Sequence, residues 1–305
     1  MFDHFVWSVL VAPVLVVGAA RVVAGRLRPG AGAAVLAWSA AAAACGAVAN
    51  LALFSAKAFA EVPAVDAYFG WSRGTVLADT AHVPWVSWAS AALLAWCAVS
   101  AALVWRRHRR GREVARTLAP LPDDQRIVLV PEDSPDAFAV PGRPGRIVVT
   151  SGMRATLTDA QYTALLAHER AHLDGRHHRL VLMADLAGAL HPALAWVARR
   201  VGYLVERDAD EIAAAEVGSR RTVAKAIAAA ALAARETPSL GLHLARPGAV
   251  PRRVTSLLSP DRRTLLPWAG ILPLALAASS LVWTGEAALD FEQLLRAAHQ
   301  TSLPR

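Results

Sequence analysis

The sequence predicts a mainly α-helical integral membrane protein with about four transmembrane helices and a small β-sheet. Of its 305 residues, 55% are hydrophobic, and the mean hydropathy is positive. The apolar residues are concentrated in blocks, and the longer blocks reach the roughly 20 residues that a bilayer-spanning helix needs. This composition excludes an ordinary soluble enzyme.

The predicted transmembrane helices cover residues 5–25, 31–56, 83–105 and 264–284. The first apolar run is short, but Arg21 can extend it by reaching toward the lipid headgroups. No Lys or Arg precedes that run, so it differs from a secretory signal peptide and is predicted to remain as a span. Residues 1–112 then form a membrane domain, residues 113–263 a separate domain, and residues 285–305 a short extracytoplasmic tail.

The arginines predict the orientation in a multi-pass cell-membrane protein. Arginines follow the first and third spans, whereas the loop between spans two and three carries only Lys57 and Arg73. Because positive charge stays on the cytoplasmic side, both termini are predicted outside and residues 106–263 inside. The net charge of +8 is mostly arginine beside spans, where it meets anionic lipid, so no direct contact with nucleic acid is predicted. Cys45 and Cys97 lie within spans and predict neither a disulfide nor a cysteine metal site.

Residues 168–172 read His-Glu-Arg-Ala-His, an HExxH motif. Residues four apart share one face of a helix, so His168 and His172 can bind the same metal ion. Glu169 lies beside the first histidine, where it can act as a general base. The motif predicts one catalytic Zn²⁺ per chain and peptide hydrolysis as the reaction.

The local sequence predicts that this motif lies on a helix. Thr158 and Gln161 have the spacing of a capping box, which predicts a helix beginning near Asp159. Gly175 offers an end to that helix. Everything after Thr158 has a helical pattern, whereas short β-rich runs at residues 127–130 and 146–150 predict the small sheet.

A catalytic zinc keeps three protein ligands and one open position, so a third ligand is needed. Glu206 is the predicted third ligand, and Asp210, one turn further along the same helix, is predicted to accept the free N–H of a ligand histidine. Asp208 and Glu211 are interpreted as part of a solvated face.

The order HExxH, a few dozen residues, then ExxxD resembles the gluzincin-type membrane peptidases. Residues 190–196 are similar to the His-x-x-x-Pro-x-x-Trp element of the antirepressor metallopeptidases, the BlaR and MecR family, although here Pro192 follows His191 directly. The resemblance covers residues 127–257 and implies a gluzincin-type α+β zinc peptidase domain.

Residues 136–138 and 145–152 also resemble that family and the related heat-shock protease HtpX, in which an edge strand lies beside the catalytic helix. A substrate is therefore expected to lie against a strand formed by Ala137, Phe138, Ala139 and Val140. The interval between His172 and Glu206 has room for little more than one helix. This favours the antirepressor type, because HtpX-like enzymes insert a membrane hairpin there.

Several roles stay open at this stage. Tyr203, His191 and His243 are candidates for stabilising the oxyanion of the tetrahedral intermediate. His177 and His178 either reach the metal region or simply end a helix. Residues 181–197 are predicted to form a buried or membrane-grazing helix, with a re-entrant hairpin as the alternative.

The resulting prediction is a membrane-embedded zinc endopeptidase that contacts lipid and a protein or peptide substrate. The resemblance implies cleavage of a cytoplasmic BlaI-type repressor, or of the peptidase itself, in signal transduction. The tail after the last predicted span is too short for a penicillin-binding sensor domain, which puts direct β-lactam sensing in doubt. Two alternatives are an HtpX-like quality-control protease and a non-catalytic zinc-binding scaffold, and a homodimer stays open.

Overall fold

A computed structural model of the chain describes residues 2–117, 125–236, 249–259 and 266–301, and this part is mainly helical with one small sheet. The labelled elements are α1 (Phe2–Val23), α2 (Pro29–Ala60), α3 (Val86–Thr117), β1 (Ile127–Val130), β2 (Ala137–Val140), β3 (Arg146–Thr150), α4 (Asp159–Asp174), α5 (His177–Leu190), α6 (Ala195–Val217), α7 (Arg220–Glu236), α8 (Ala249–Leu258) and α9 (Ile271–Gln300). Shorter helices lie at Pro63–Phe69, Arg73–Ala78 and Ser151–Thr156.

Four helices of the described residues are long and apolar enough to cross a membrane, which confirms the four predicted spans. They are Phe2–Val23, Pro29–Ala60, Val86–Arg110 and Trp268–Gln300.

The fourth span differs most from its prediction, residues 264–284. Its helix continues to Gln300, so most of the predicted tail is helical rather than an extended end. Charged residues such as Glu286 and Asp290 marked the predicted boundary, but residues 285–300 contain no proline and are rich in good helix formers, so nothing stops the helix there.

Small and polar side chains hold α1, α2 and α9 together. Asn50 Nδ2 donates to Thr284 Oγ1 at 2.7 Å, and Ser8 Oγ donates to the carbonyl of Ser280 at 3.3 Å. Gly46 of α2 faces Ser280 so closely that a side chain at this position would collide with it. Close backbone approach and hydrogen bonds between helices are the usual means by which membrane helices associate.

The membrane helices have two distinguishable ends. At one end, His4 contacts Asp290 at 3.1 Å, and the backbone N–H of Ser72 donates to the carbonyl of Ala298 at 2.8 Å. At the other end, Leu266 N–H donates to the carbonyl of Arg26 at 2.8 Å. The N-terminus, the loop after α2 and the end of α9 therefore lie together at one end of the helices, and the loop after α1 lies with the start of the fourth span at the other.

The sheet has the strand order β1-β3-β2, with β1 parallel and β2 antiparallel to β3. The predicted strand of Ala137, Phe138, Ala139 and Val140 is thus present as β2, an edge strand, and it packs against α4. The predicted capping box is also present, since Thr158 N–H donates to Gln161 Oε1 at 3.0 Å and Gln161 N–H donates back to Thr158 Oγ1. Helix α4 accordingly begins at Asp159 and ends at Asp174.

Between the HExxH motif and the predicted third ligand, the chain forms a helical hairpin of α5 and the first half of α6, joined by a short turn at Pro192–Leu194. Ala184 and Ala187 of α5 and Val197 and Val201 of α6 are buried against α1 and α2. The prediction of room for little more than one helix was wrong, because the tight turn at Pro192 lets two antiparallel helices fit.

The tip of this hairpin lies deep among the spans. His191 Nε2 contacts the carbonyl of Val9 at 2.9 Å, and Cys97 Sγ donates to the carbonyl of Leu190 at 3.1 Å. Cys97 lies near the middle of the span Val86–Arg110, so the alternative of a re-entrant hairpin describes the segment better than a membrane-grazing helix. Val9 lies in the part of α1 that is a π-helix, Val6–Val11.

Candidate metal centre

Helix α4 presents the two histidines of the motif on one face, as their spacing predicted. His168 Nε2 and His172 Nε2 lie 3.1 Å apart, and both side chains are largely buried. Glu206 reaches the same point from α6, with Oε1 at 3.5 Å from His172 Nε2 and Oε2 at 3.7 Å from His168 Nε2. The structure therefore brings the three predicted ligands together.

These separations suit a tetrahedral metal ion. Zinc with bonds of about 2.0–2.1 Å holds neighbouring ligand atoms roughly 3.3 Å apart. The three measured distances, 3.1, 3.5 and 3.7 Å, bracket that value. Two imidazole nitrogens and one carboxylate oxygen also form the ligand type of catalytic zinc sites, which leave a fourth position for water or substrate. The donor set fits zinc without a change of backbone.

Glu169 lies beside His168 in α4 and is 7% exposed. A carboxylate buried next to a metal position is placed to exchange protons there, which a purely structural metal site does not need. Glu169 is therefore a buried carboxylate on the same helix as the two candidate histidine ligands, and its role as general base stays a prediction.

Asp210 stands behind His168, whereas Arg253 contacts Asp210, Glu206 and, with Nη2 at 3.5 Å, the metal-facing Nε2 of His168. Asp210 is fully buried, and its Oδ1 lies 3.1 Å from His168 Nδ1, the ring nitrogen that is not aimed at the other ligands. Arg253 of α8 holds both oxygens of Asp210, with Nη2 at 2.6 Å and Nε at 2.8 Å, and its Nη1 lies 2.7 Å from Glu206 Oε2. Asp210 thus lies close to the histidine nitrogen that it was predicted to support, and its acceptance of that N–H stays a prediction.

Arg253 itself was not singled out from the sequence as part of the site. Its neighbour Arg252 is exposed, whereas Arg253 is 7% exposed. The sequence does not show which of two adjacent arginines is buried, because burial depends on how α8 packs against α6.

The charges of the centre are strongly coupled. Burial opposes charge on His168, but the carboxylates of Asp210 and Glu206 outweigh it and raise its pKa to about 10. His172 behaves in the opposite way, since burial and the positive charge of His168 lower its pKa to about 3. Although burial opposes it, the partners His168 and Arg253 lower the pKa of Glu206. A protonated His168 must lose its proton before it can bind a metal, so metal binding is linked to proton release.

A second histidine layer lies behind His172. His177 Nδ1 is 3.0 Å from His172 Nδ1, and His177 Nε2 is 3.3 Å from Asp208 Oδ2. The interpretation of Asp208 as a solvated acid was wrong, because the turn between α4 and α5 folds His177 back toward it. Glu211 also has defined partners, Arg207 and Arg220, and is not simply solvated.

Comparison with known proteins agrees with this centre. Residues 104–236 match the model of Peptidase family M48. This segment contains the HExxH motif, Glu206, Asp208 and Asp210, and ends before Arg253. The similarity supports a metallopeptidase.

Curated relatives point the same way. The chain is 38% identical over 82 residues to a protein named Protease HtpX homolog from Desulforapulum autotrophicum, covering 26% of each chain. It is 30% identical over 104 residues to another Protease HtpX homolog, from Burkholderia multivorans, covering 33% of this chain and 34% of that protein. The chain thus spans about a quarter to a third of the length of these relatives. No solved structure matches it significantly.

The structure places one of the three oxyanion candidates, His191, away from that role. His191 contacts Val9 at the tip of the hairpin, among the spans, so it docks the hairpin rather than serving the metal centre. Tyr203 lies on α6, where its ring packs under the guanidinium of Arg200 at 5.0 Å. His243 lies outside the described residues. Sequence spacing placed Tyr203 on the face of Glu206 but could not show which neighbour its ring would meet.

Proposed function

We propose that the protein is a membrane-embedded zinc endopeptidase. The observation that carries this proposal is the convergence of His168, His172 and Glu206, with Glu169 buried beside them, in a segment similar to Peptidase family M48. A non-catalytic zinc scaffold would need the three ligands but not the buried carboxylate of Glu169.

The chemistry divides between the metal and the protein. Zinc supplies Lewis-acid activation of water and of the scissile carbonyl when it is bound. His168, His172 and Glu206 would hold it. Glu169 accepts a proton from the attacking water and delivers it to the amine of the departing peptide. Strand β2, an edge strand of the described sheet, would offer backbone groups to an extended substrate, which would lie beside α4 and add a strand to the sheet.

The proposed substrate class is based on the similar proteins and on the position of the site next to the membrane helices. The relatives named Protease HtpX homolog and the re-entrant hairpin between the ligands both favour an HtpX-like role, in which membrane proteins are cleaved for quality control. Regulatory cleavage of a cytoplasmic BlaI-type repressor, or of the peptidase itself, is the second candidate, supported by the resemblance of residues 190–196. The two differ in breadth: a quality-control enzyme cleaves many unfolded membrane proteins, and a regulatory one cleaves a single partner.

The decisive variant is Glu169→Gln, which keeps the shape of the side chain and removes the base. We expect it to bind one zinc per chain and to lose proteolysis of an unfolded membrane-protein substrate by roughly 10²–10⁴-fold. The comparison variant Glu206→Ala should lose zinc and activity together. Zinc content measured by mass spectrometry and cleavage followed on gels check both. Full activity in Glu169→Gln would exclude this mechanism.

The orientation is a separate proposal: the metal centre faces the cytoplasm and both termini lie outside. The arginines after α1 and in the last turns of α3, including Arg106, Arg107 and Arg109, support it. A reporter fused after residue 112 should be active only in a cytoplasmic assay, and one fused after residue 305 only in an external assay. The reverse pattern would place the centre outside and exclude a cytoplasmic substrate.

A further inference from the structure

The contacts behind His172 form a chain whose hydrogen-bond direction can be worked out. His177 is 3% exposed and stands between His172 Nδ1, at 3.0 Å, and Asp208 Oδ2, at 3.3 Å. The rings of His172 and His177 meet edge to face with their centroids 5.0 Å apart. Each histidine therefore uses a specific nitrogen toward its neighbour.

The carboxylate at the end of the chain determines the rest. A carboxylate accepts hydrogen bonds, so His177 Nε2–H donates to Asp208. The other nitrogen of that ring, Nδ1, then offers its lone pair to His172 Nδ1–H. His172 in turn keeps its lone pair on Nε2, the atom that faces His168 and Glu206. The chain thus selects the tautomer of His172 that can bind a metal.

Asp208 is positioned by a membrane helix. Its carboxylate lies against Gly30 in the first turn of α2, where a Cβ added to Gly30 would be 2.6 Å from Asp208 Oδ1 and 2.8 Å from Oδ2. Only a glycine leaves room for the carboxylate there. The first turn of a helix also carries unpaired N–H groups and a partial positive charge, which favour a carboxylate at this end.

We propose that α2 positions the metal ligand His172 through Gly30, Asp208 and His177, so that packing at the start of this membrane span sets the metal affinity of the centre. The proposal rests on the zinc site of the proposed function and adds to it a mechanical connection with the membrane domain. Asp208 and His177 are positioning residues, since neither belongs to the candidate ligand set. A shift of α2 relative to α6 would move Asp208 and release His177 from His172.

The test is Gly30→Ala in the full-length protein purified in detergent. The added methyl group displaces a flexible carboxylate rather than backbone, so the protein is expected to fold. Gly32→Ala is the matched control, because it lies in the same helix and its Cβ would make ordinary contacts at 3.4 Å and beyond. Zinc affinity is measured by competition with a chelator, Co²⁺ substitution reports the ligand geometry by absorption, and thermal melting reports the fold of the metal-free protein.

We expect Gly30→Ala to lower zinc affinity by roughly 10- to 100-fold and to change the Co²⁺ spectrum, while Gly32→Ala changes neither and both metal-free variants melt at or above the wild-type temperature. In a His177→Ala background, Gly30→Ala should cause no further loss, because its effect acts through His177.

Two results would overturn the proposal. One is wild-type zinc affinity in Gly30→Ala, and the other is an equal loss from Gly30→Ala whether or not His177 is present. In both cases wild-type protein still binds zinc and the proposed function survives. A wild-type protein that binds no zinc would overturn the positioning chain and the proposed function together.

Discussion

Asp208 and Asp210 lie two residues apart on α6 and stand behind different histidines. Asp210 is fully buried, lies 3.1 Å from His168 Nδ1 and is held on both oxygens by Arg253. Asp208 is partly exposed and lies against Gly30 of a membrane span. It is connected to His172 through His177. One candidate ligand is therefore supported by residues of α6 and α8, and the proposed support of the other depends on how α6 packs against α2.

The difference matters because outer contacts of a metal ligand fix its orientation and tune its basicity. A support made of a buried ion pair resists displacement, since separating it exposes uncompensated charge. A support that ends on a neighbouring span moves when the span moves. His168 is thus expected to be the constant ligand of the centre and His172 the adjustable one.

The largest expected effect is on the free energy of unfolding, and it comes from removing Arg253, which holds both oxygens of Asp210. Arg253→Ala leaves the fully buried Asp210 and the partly exposed Glu206 as neighbouring carboxylates without their common partner. We expect the free energy of unfolding to fall by about 3–5 kcal/mol in the metal-free protein, the cost of breaking a buried ion pair. Bound zinc should recover part of this loss because it binds only the folded state.

Thermal melting with and without zinc measures the effect of Arg253→Ala. Its control is Arg252→Ala, the exposed neighbour on the same helix, which should change melting little. Equal destabilisation by the two variants would show that Arg253 does not clamp the centre.

An effect of intermediate size is expected on zinc affinity, and it differs between the two aspartates. Asp210→Ala and Asp208→Ala are each expected to weaken zinc binding by roughly 10- to 100-fold, with the larger loss for Asp210, which touches its histidine without an intermediary. Titration against a chelator gives both affinities. Glu216→Ala, an exposed acid on the same helix, serves as the control. A larger loss from Asp208→Ala would reverse the assignment of constant and adjustable ligands.

The smallest effect is expected at the far end of α5, the helix that begins with His177. His191→Ala removes the hydrogen bond to the carbonyl of Val9, which should cost about 0.5–1.5 kcal/mol of stability. Zinc affinity should not change, because Asp208 holds His177 independently of the hairpin tip. Denaturation and chelator titration of the same preparations measure the two quantities. A drop in zinc affinity would extend the membrane connection from α2 to the hairpin tip.

The chain's local patterns were sufficient for several features. Apolar blocks identified four spans, the Thr158–Gln161 box gave the start of α4, and the spacing within HExxH and between Glu206 and Asp210 gave the ligands and one supporting acid. These features repeat with the period of a helix or depend on neighbours within one turn, so they can be recognised in the sequence itself.

The tertiary structure decided what each helical face meets. Nothing local distinguishes Arg253 from Arg252, or shows that Asp208 faces His177 and Gly30. The depth of the hairpin, and with it the separation of His191 from the centre, depends on the tight turn at Pro192 and on the contacts of the hairpin tip with two spans. The sequence by itself determined which side chains share a helical face, whereas only the packing of α5, α6 and α8 onto each other and onto α2 decided their partners, because such contacts join residues far apart in the chain.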